Sequence, residues 1–176
     1  MKSFALPLAL AALATTSACS TIGELPTERI ASARLTLANG IPAGTVQLLG
    51  NGEALSLAVA VTGISEGPHG FHLHTTGKCI APDFKSAGGH LNPSGNEHGT
   101  LNPKGSHLGD LPNLMVGSSK TASETIELSG DHAEILADLF DDDGTAIVIH
   151  AGADDYRSDP AGAAGSRIAC GVLKRS

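Results

Sequence analysis

The chain has eight histidines, and their spacing is uneven. His72 and His74 stand two apart in Phe71-His-Leu-His74, so on a strand both imidazoles leave the same face and can reach one ion. Alone, such a pair is a weak signal, because most are surface or hydrogen-bonded histidines. Its company changes the reading. His90, His98, His107 and Asp110 fall within one later stretch, and His150 ends a later apolar run. Imidazoles and a carboxylate are the donors that borderline divalent metals select. His69 and His132 have no such context and read as structural or solvent-exposed.

The elements that must carry these residues read as strands. Arg34-Leu35-Thr36-Leu37 alternates and ends at Asn39-Gly40, a hairpin signal. Thr45 to Leu49 is followed by Asn51-Gly52, another. Ala54 to Val61 is the clearest strand, with Leu55, Leu57, Val59 and Val61 on one face. Further strands are expected at Phe71 to His74, Leu111 to Val116, Thr121 to Leu128, Thr145 to His150 and Arg167 to Leu173. Asp131 and Glu134 resemble a capping box ahead of a short helix at Ile135 to Phe140. Two stretches lack periodicity: Lys78 to Asp110, rich in Gly, Pro, Asn, His and Ser, and Ala151 to Ser166. Loops of that length in one domain are functional or disordered, and metal ligands would hold the first in place. The pattern predicts an all-β fold, an eight-stranded Greek-key β-barrel or sandwich with two long functional loops and one short helix.

Composition agrees. Hydrophobic residues make up 41% but aromatics only 3%, so small and aliphatic side chains must fill the core. The 22 Gly and 9 Pro favour turns over helices. A net charge of −7 argues against nucleic acid, which needs clustered Lys and Arg. The first residues read as an export leader: Lys2 supplies a positive start, and Phe4 to Ala14 is apolar but too short to span a bilayer. We expect a signal peptide over 1–18, a tether over 19–28 and one domain over 29–176. Cys19, after Thr16-Ser17-Ala18, resembles the lipid-modified cysteine of a bacterial lipoprotein box, although the box prefers Leu where Thr16 stands. Lipidation there would leave two domain cysteines, Cys79 and Cys170, an even number that suits an oxidising compartment. The expected location is therefore periplasmic, with a membrane anchor if Cys19 carries lipid.

Four segments together carry a specific resemblance: Gly70-Phe-His-Leu-His-Thr-Thr-Gly-Lys-Cys79, Gly88-Gly-His-Leu-Asn-Pro-Ser-Gly-Asn-Glu-His98, His107-Leu-Gly-Asp110 and Gly165-Ser-Arg-Ile-Ala-Cys-Gly-Val172. In order and spacing they resemble the copper–zinc superoxide dismutase family, over the chain from about Arg29 to its C-terminus. The resemblance implies one copper and one zinc per subunit. It makes His72, His74, His90 and His150 copper ligands, and His90, His98, His107 and Asp110 zinc ligands, with the His90 imidazolate bridging the two. It makes Asp154 a carboxylate linking a copper histidine to a zinc histidine, pairs Cys79 with Cys170, and puts Arg167 beside copper to position the substrate. The implied reaction converts superoxide to oxygen and hydrogen peroxide, with copper changing oxidation state and zinc structural. Lys85 is a candidate second charge for steering the anion. The family's exported bacterial members are monomers or homodimers, and either state is expected here. The alternative is a non-catalytic periplasmic copper- and zinc-binding protein of the same fold, yet no ligand is missing and Arg167 is present. A zinc hydrolase would need an open zinc position, whereas the implied zinc set has four protein ligands and is closed.

Overall fold

The computed structural model describes Met1 and residues 27–52 and 54–176. Residues 2–26, which include nearly all of the expected signal peptide and tether, lie outside the described residues. Among the described residues ten strands and one α-helix follow in order: β1 (Glu28–Leu37), β2 (Pro42–Gly50), β3 (Leu55–Thr62), β4 (Gly67–His69), β5 (Phe71–His74), β6 (Leu114–Val116), β7 (Thr121–Leu128), α1 (His132–Leu139), β8 (Ala146–His150), β9 (Arg167–Val172) and β10 (Lys174–Arg175). Eight strands form one antiparallel sheet in the order β5-β8-β9-β1-β2-β3-β7, with β10 also on β1. β4 and β6 pair separately as a two-stranded ribbon. The expected all-β architecture with two long loops and a short helix is what the chain adopts.

Alternation explains the core. Leu55, Leu57, Val59 and Val61 of β3 are buried, with Ser56, Ala58, Ala60 and Thr62 on the other face. Val46 and Leu48 of β2 and Ala31, Ala33 and Leu35 of β1 meet them inside. β1 begins six residues before the alternation of larger apolar side chains, because Ala31 and Ala33 hold the inward positions and alanine is a faint signal. The two hairpin signals sit at the expected turns: Gly40 and Gly52 both have φ of 85°, the left-handed conformation that glycine adopts without steric cost. Asp131 caps α1, accepting from the amides of Ala133 and Glu134, and Ile135 and Leu139 anchor the helix to the core.

β5 and β8 position the chemistry, and both are buried on two sides. Phe71 and Leu73 of β5, with Ile147 and Ile149 of β8, point into the main core. The intervening His72 and His74 point outward, yet each is 0% exposed. The cover is the first long loop. Its backbone docks along β5: the Leu73 amide donates to Gly109 O (3.0 Å), the Leu91 amide to Leu73 O (2.8 Å) and the Thr75 amide to Gly89 O (3.0 Å). Gly109 permits this approach, since a Cβ there would collide with Leu73 O. Phe84 and Ala87 of the same loop close over Ala146 and Val148 of β8, next to a Cys79–Cys170 disulfide. The pairing expected for these two cysteines is present.

Candidate metal centre

The loop and the strands bring seven sequence-selected residues into two adjoining groups. His72, His74, His90 and His150 form one, and His90, His98, His107 and Asp110 the other. In each group every potential ligand atom lies within 4.8 Å of the rest, and all seven residues are buried. His90 belongs to both.

In the first group, each imidazole commits one nitrogen to an oxygen and leaves the other bare. His74 Nδ1 donates to Gly88 O (3.1 Å), His150 Nδ1 to Gly165 O (3.1 Å) and His72 Nε2 to Asp154 Oδ2 (2.7 Å). His90 Nδ1 faces Asp110 Oδ1 at 2.8 Å. The remaining nitrogens are His72 Nδ1, His74 Nε2, His90 Nε2 and His150 Nε2. Among the described residues, these four are the buried side-chain polar atoms with no hydrogen-bond partner. Unpartnered buried polar atoms are costly and rare, so four in one cluster mark a centre built for a cation. The electrostatics agree. Burial, then the nearby His90, lower the His74 pKa from 6.5 to about 2. Burial and the neighbouring His72 take His150 to about 4. Burial also lowers His90 to about 4, partly opposed by its contact with Asp110. Neutral imidazoles are the metal-binding form.

The second group has a different logic. The Nδ1 atoms of His90, His98 and His107 all approach Asp110 Oδ1, at 2.8, 2.9 and 3.1 Å. His98 Nε2 donates to Asp154 Oδ1 (3.0 Å) and His107 Nε2 to Asn96 O (3.1 Å). When those protons sit on Nε2, the Nδ1 lone pairs of His98 and His107 face an anionic oxygen, a repulsive arrangement unless a cation lies among them. Three nitrogens and one carboxylate oxygen make a closed four-ligand set of the kind zinc takes in structural sites. Burial raises the Asp110 pKa, but contacts from His90 and the amides of Gly99 and His107 outweigh it. The carboxyl is held well below its usual range.

Asp154 joins the groups, with one oxygen on His72 and the other on His98. Those two contacts and the Tyr156 amide (2.6 Å) outweigh the opposing effect of burial and keep it ionised well below the usual carboxylate range. Arg167 is half-buried at the edge of the first group. Its guanidinium donates to Phe84 O (2.7 Å) and to Gly88 O (2.6 Å), the same carbonyl that orients His74. Lys85 lines the same crevice but is exposed and lies 3.5 Å from Asp83. His69 is buried and bonded to His150 O (2.8 Å) and Ser65 O (2.9 Å), behind the metal groups, while His132 opens α1 at the surface. Sequence reading missed the backbone carbonyls of Gly88 and Gly165, which carry no side-chain signal. It also missed Asp159, whose carboxylate accepts from the His98 amide (2.8 Å), and Asn113, which holds Asp154.

The geometry has a counterpart in known proteins. The family model described as copper/zinc superoxide dismutase matches residues 42–173. A superoxide dismutase [Cu-Zn] 1 of Aquifex aeolicus (strain VF5) is 49% identical over 108 residues, 59% of this chain and 63% of the relative, so that match spans less than two thirds of the relative's length. A superoxide dismutase [Cu-Zn] 2 of the same organism is 39% identical over 149 residues, 82% of this chain and 86% of the relative. The crystal structure of a SOD-like protein from Bacillus subtilis superposes with a TM-score of 0.75 at 36% identity, covering 81% of this chain and 97% of that one. The chain belongs to the copper/zinc superoxide dismutase family. With relatives named superoxide dismutase [Cu-Zn] matching over most of their length and two histidine-rich groups in place, it is an enzyme of that class, with copper and zinc as cofactors.

Proposed function

We propose that copper is held by His72 Nδ1 and the Nε2 atoms of His74, His90 and His150, and zinc by the Nδ1 atoms of His90, His98 and His107 with Asp110. The observation that carries this is the convergence of four unpartnered imidazole nitrogens beside a second donor set that shares His90. Copper supplies one-electron chemistry by alternating between its two oxidation states, and zinc, being redox-inert, supplies charge and order. Two superoxide ions and two protons then yield one oxygen and one hydrogen peroxide. The protein contributes the rest. Arg167 presents a permanent cation whose orientation two carbonyls fix, so a small anion is drawn in and held beside the four imidazoles. Lys85, on the same crevice, adds attraction that its neighbour Asp83 partly offsets. Whenever copper does not occupy it, His90 Nε2 would be the atom at which a proton is held and passed on, because its own Nδ1 is engaged on the zinc side.

A disulfide in the folded domain belongs to an oxidising compartment. We place the mature protein in the periplasm after removal of residues 1–18, tethered through lipid on Cys19. The test is metal analysis and intact mass of the mature protein, alongside a superoxide assay. Stoichiometric copper and zinc, cyanide-sensitive activity and a mass carrying acyl chains are expected. Full zinc loading with no activity after added copper would overturn the catalytic reading, and an unmodified Cys19 would overturn the anchor.

A further inference from the structure

Asp154 reaches both metal groups, so whatever fixes its backbone fixes the link between them. Asn113 does this with both ends of its amide. Its Oδ1 accepts from the Asp154 amide (2.8 Å), and its Nδ2 donates to Asp154 O (2.9 Å). An asparagine amide offers one acceptor and two donors in one plane, so here it pairs with a residue's N–H and C=O as a neighbouring strand would. Asn113 is itself anchored twice. It lies three residues after Asp110 and directly precedes β6, and its own amide donates to the Tyr156 hydroxyl (2.8 Å). Tyr156 closes the frame by donating its amide to Asp154 Oδ1 (2.6 Å). On the opposite side Gly162 lies against the Asp154 carboxylate so closely that a Cβ there would overlap it and crowd the His98 ring. Asp154 is 3% exposed and has no room to choose another position.

We propose that Asn113 is a positioning residue which, by clamping the backbone of Asp154, strengthens the dependence of each metal group's occupancy on the other beyond what the shared His90 gives. The connection runs from Asp110 along the chain to Asn113, across to Asp154, and out to His72 and His98. This rests on the reading that the groups hold copper and zinc. Outer groups that orient metal ligands matter for affinity almost as much as the ligands do, and a clamp that sets two ligands in two sites will show itself in coupling as well as in affinity.

The experiment uses the full chain, its Asn113→Ala and Asn113→Asp variants, and Leu57→Ala as a destabilised control remote in sequence from the loops. Copper affinity is measured by chelator competition with the zinc group empty and then loaded. Cobalt(II) placed in the zinc group gives a visible spectrum, read before and after copper addition. In the parent, zinc loading should tighten copper binding about tenfold or more, and copper should shift the cobalt bands. Asn113→Ala should reduce that factor by about threefold or more and lessen the spectral shift, the remainder passing through His90, while Leu57→Ala leaves both at parent values. Asn113→Asp keeps the shape and the acceptor but loses the donor. It should fall between, and it decides the matter if the alanine variant does not fold. A parent-like ratio in whichever Asn113 variant folds, or no zinc effect on copper in the parent, overturns the inference alone. A parent that binds neither metal stoichiometrically overturns the functional reading as well.

Discussion

His74 and Arg167 share the carbonyl of Gly88, so an imidazole of the first group and the guanidinium proposed to meet the substrate are set by one backbone atom. That sharing keeps the cation at a constant distance from the four bare nitrogens. Replacing Arg167 with Ala should lower the second-order rate with superoxide by about tenfold or more and flatten its dependence on ionic strength. Stopped-flow decay of superoxide over a range of salt concentrations measures both, and an unchanged low-salt rate would remove Arg167 from the role. At this scale the sequence is informative where chemistry needs a side chain and silent where it needs a backbone oxygen. The seven residues that the fold gathers into the two groups, with Asp154 and Arg167, could be named from residue type and resemblance. Gly88 and Gly165 could not, because their contribution is a carbonyl that any residue possesses. Asn113 escaped for another reason: an asparagine in a loop reads as a turn former, and its pairing with a residue 41 positions away is a property of the fold.

β5 illustrates how an element serves two environments. Its period of two sends Phe71 and Leu73 inward and His72 and His74 outward, and the loop that covers the outward face supplies His90, His98, His107 and Asp110. The loop is held at one end by the Cys79–Cys170 bond to β9, which closes a sequence separation of 91 residues. Chain-entropy reasoning assigns such a closure roughly 4–5 kcal/mol. The Cys79→Ser, Cys170→Ser double variant, metal-free, should lose about that much in denaturant unfolding, and a loss below about 1 kcal/mol would refute the assignment. Strand existence was legible because most strands alternate over several residues. β4 and β10 have three and two residues, too few to show a period. The expected strand from Leu111 begins instead at Leu114, because Pro112 has no amide to give a ladder and Asn113 is turned to Asp154.

The whole molecule is an anion of formal charge −7 that attracts an anion. The contradiction dissolves once the charges are located: Asp141, Asp142 and Asp143 follow α1 at the surface, while Arg167 sits half-buried where low-dielectric walls strengthen its field. Acid tests the same assembly globally. The metal-free fold keeps His90 and His150 near pKa 4, against 6.5 in the unfolded chain. Between those values the unfolded state binds more protons, so stability falls as pH drops below about 6.5 and is independent of these groups above it. Each histidine contributes on the order of 3 kcal/mol to that loss. Asp110 and Asp154, with lowered pKa values, remove further stability only below the ordinary carboxylate range. Urea midpoints measured in chelator at pH 7.5, 5.5 and 4.5 should decline in that order, and a flat series would contradict the buried-neutral state of these imidazoles. The position of Tyr156 has one more consequence. With one tyrosine and no tryptophan in the chain, ultraviolet emission comes almost entirely from a single ring, and its hydroxyl sits on the Asn113 amide, in the frame around Asp154. The protein thus carries its own optical gauge at the junction of its two long loops.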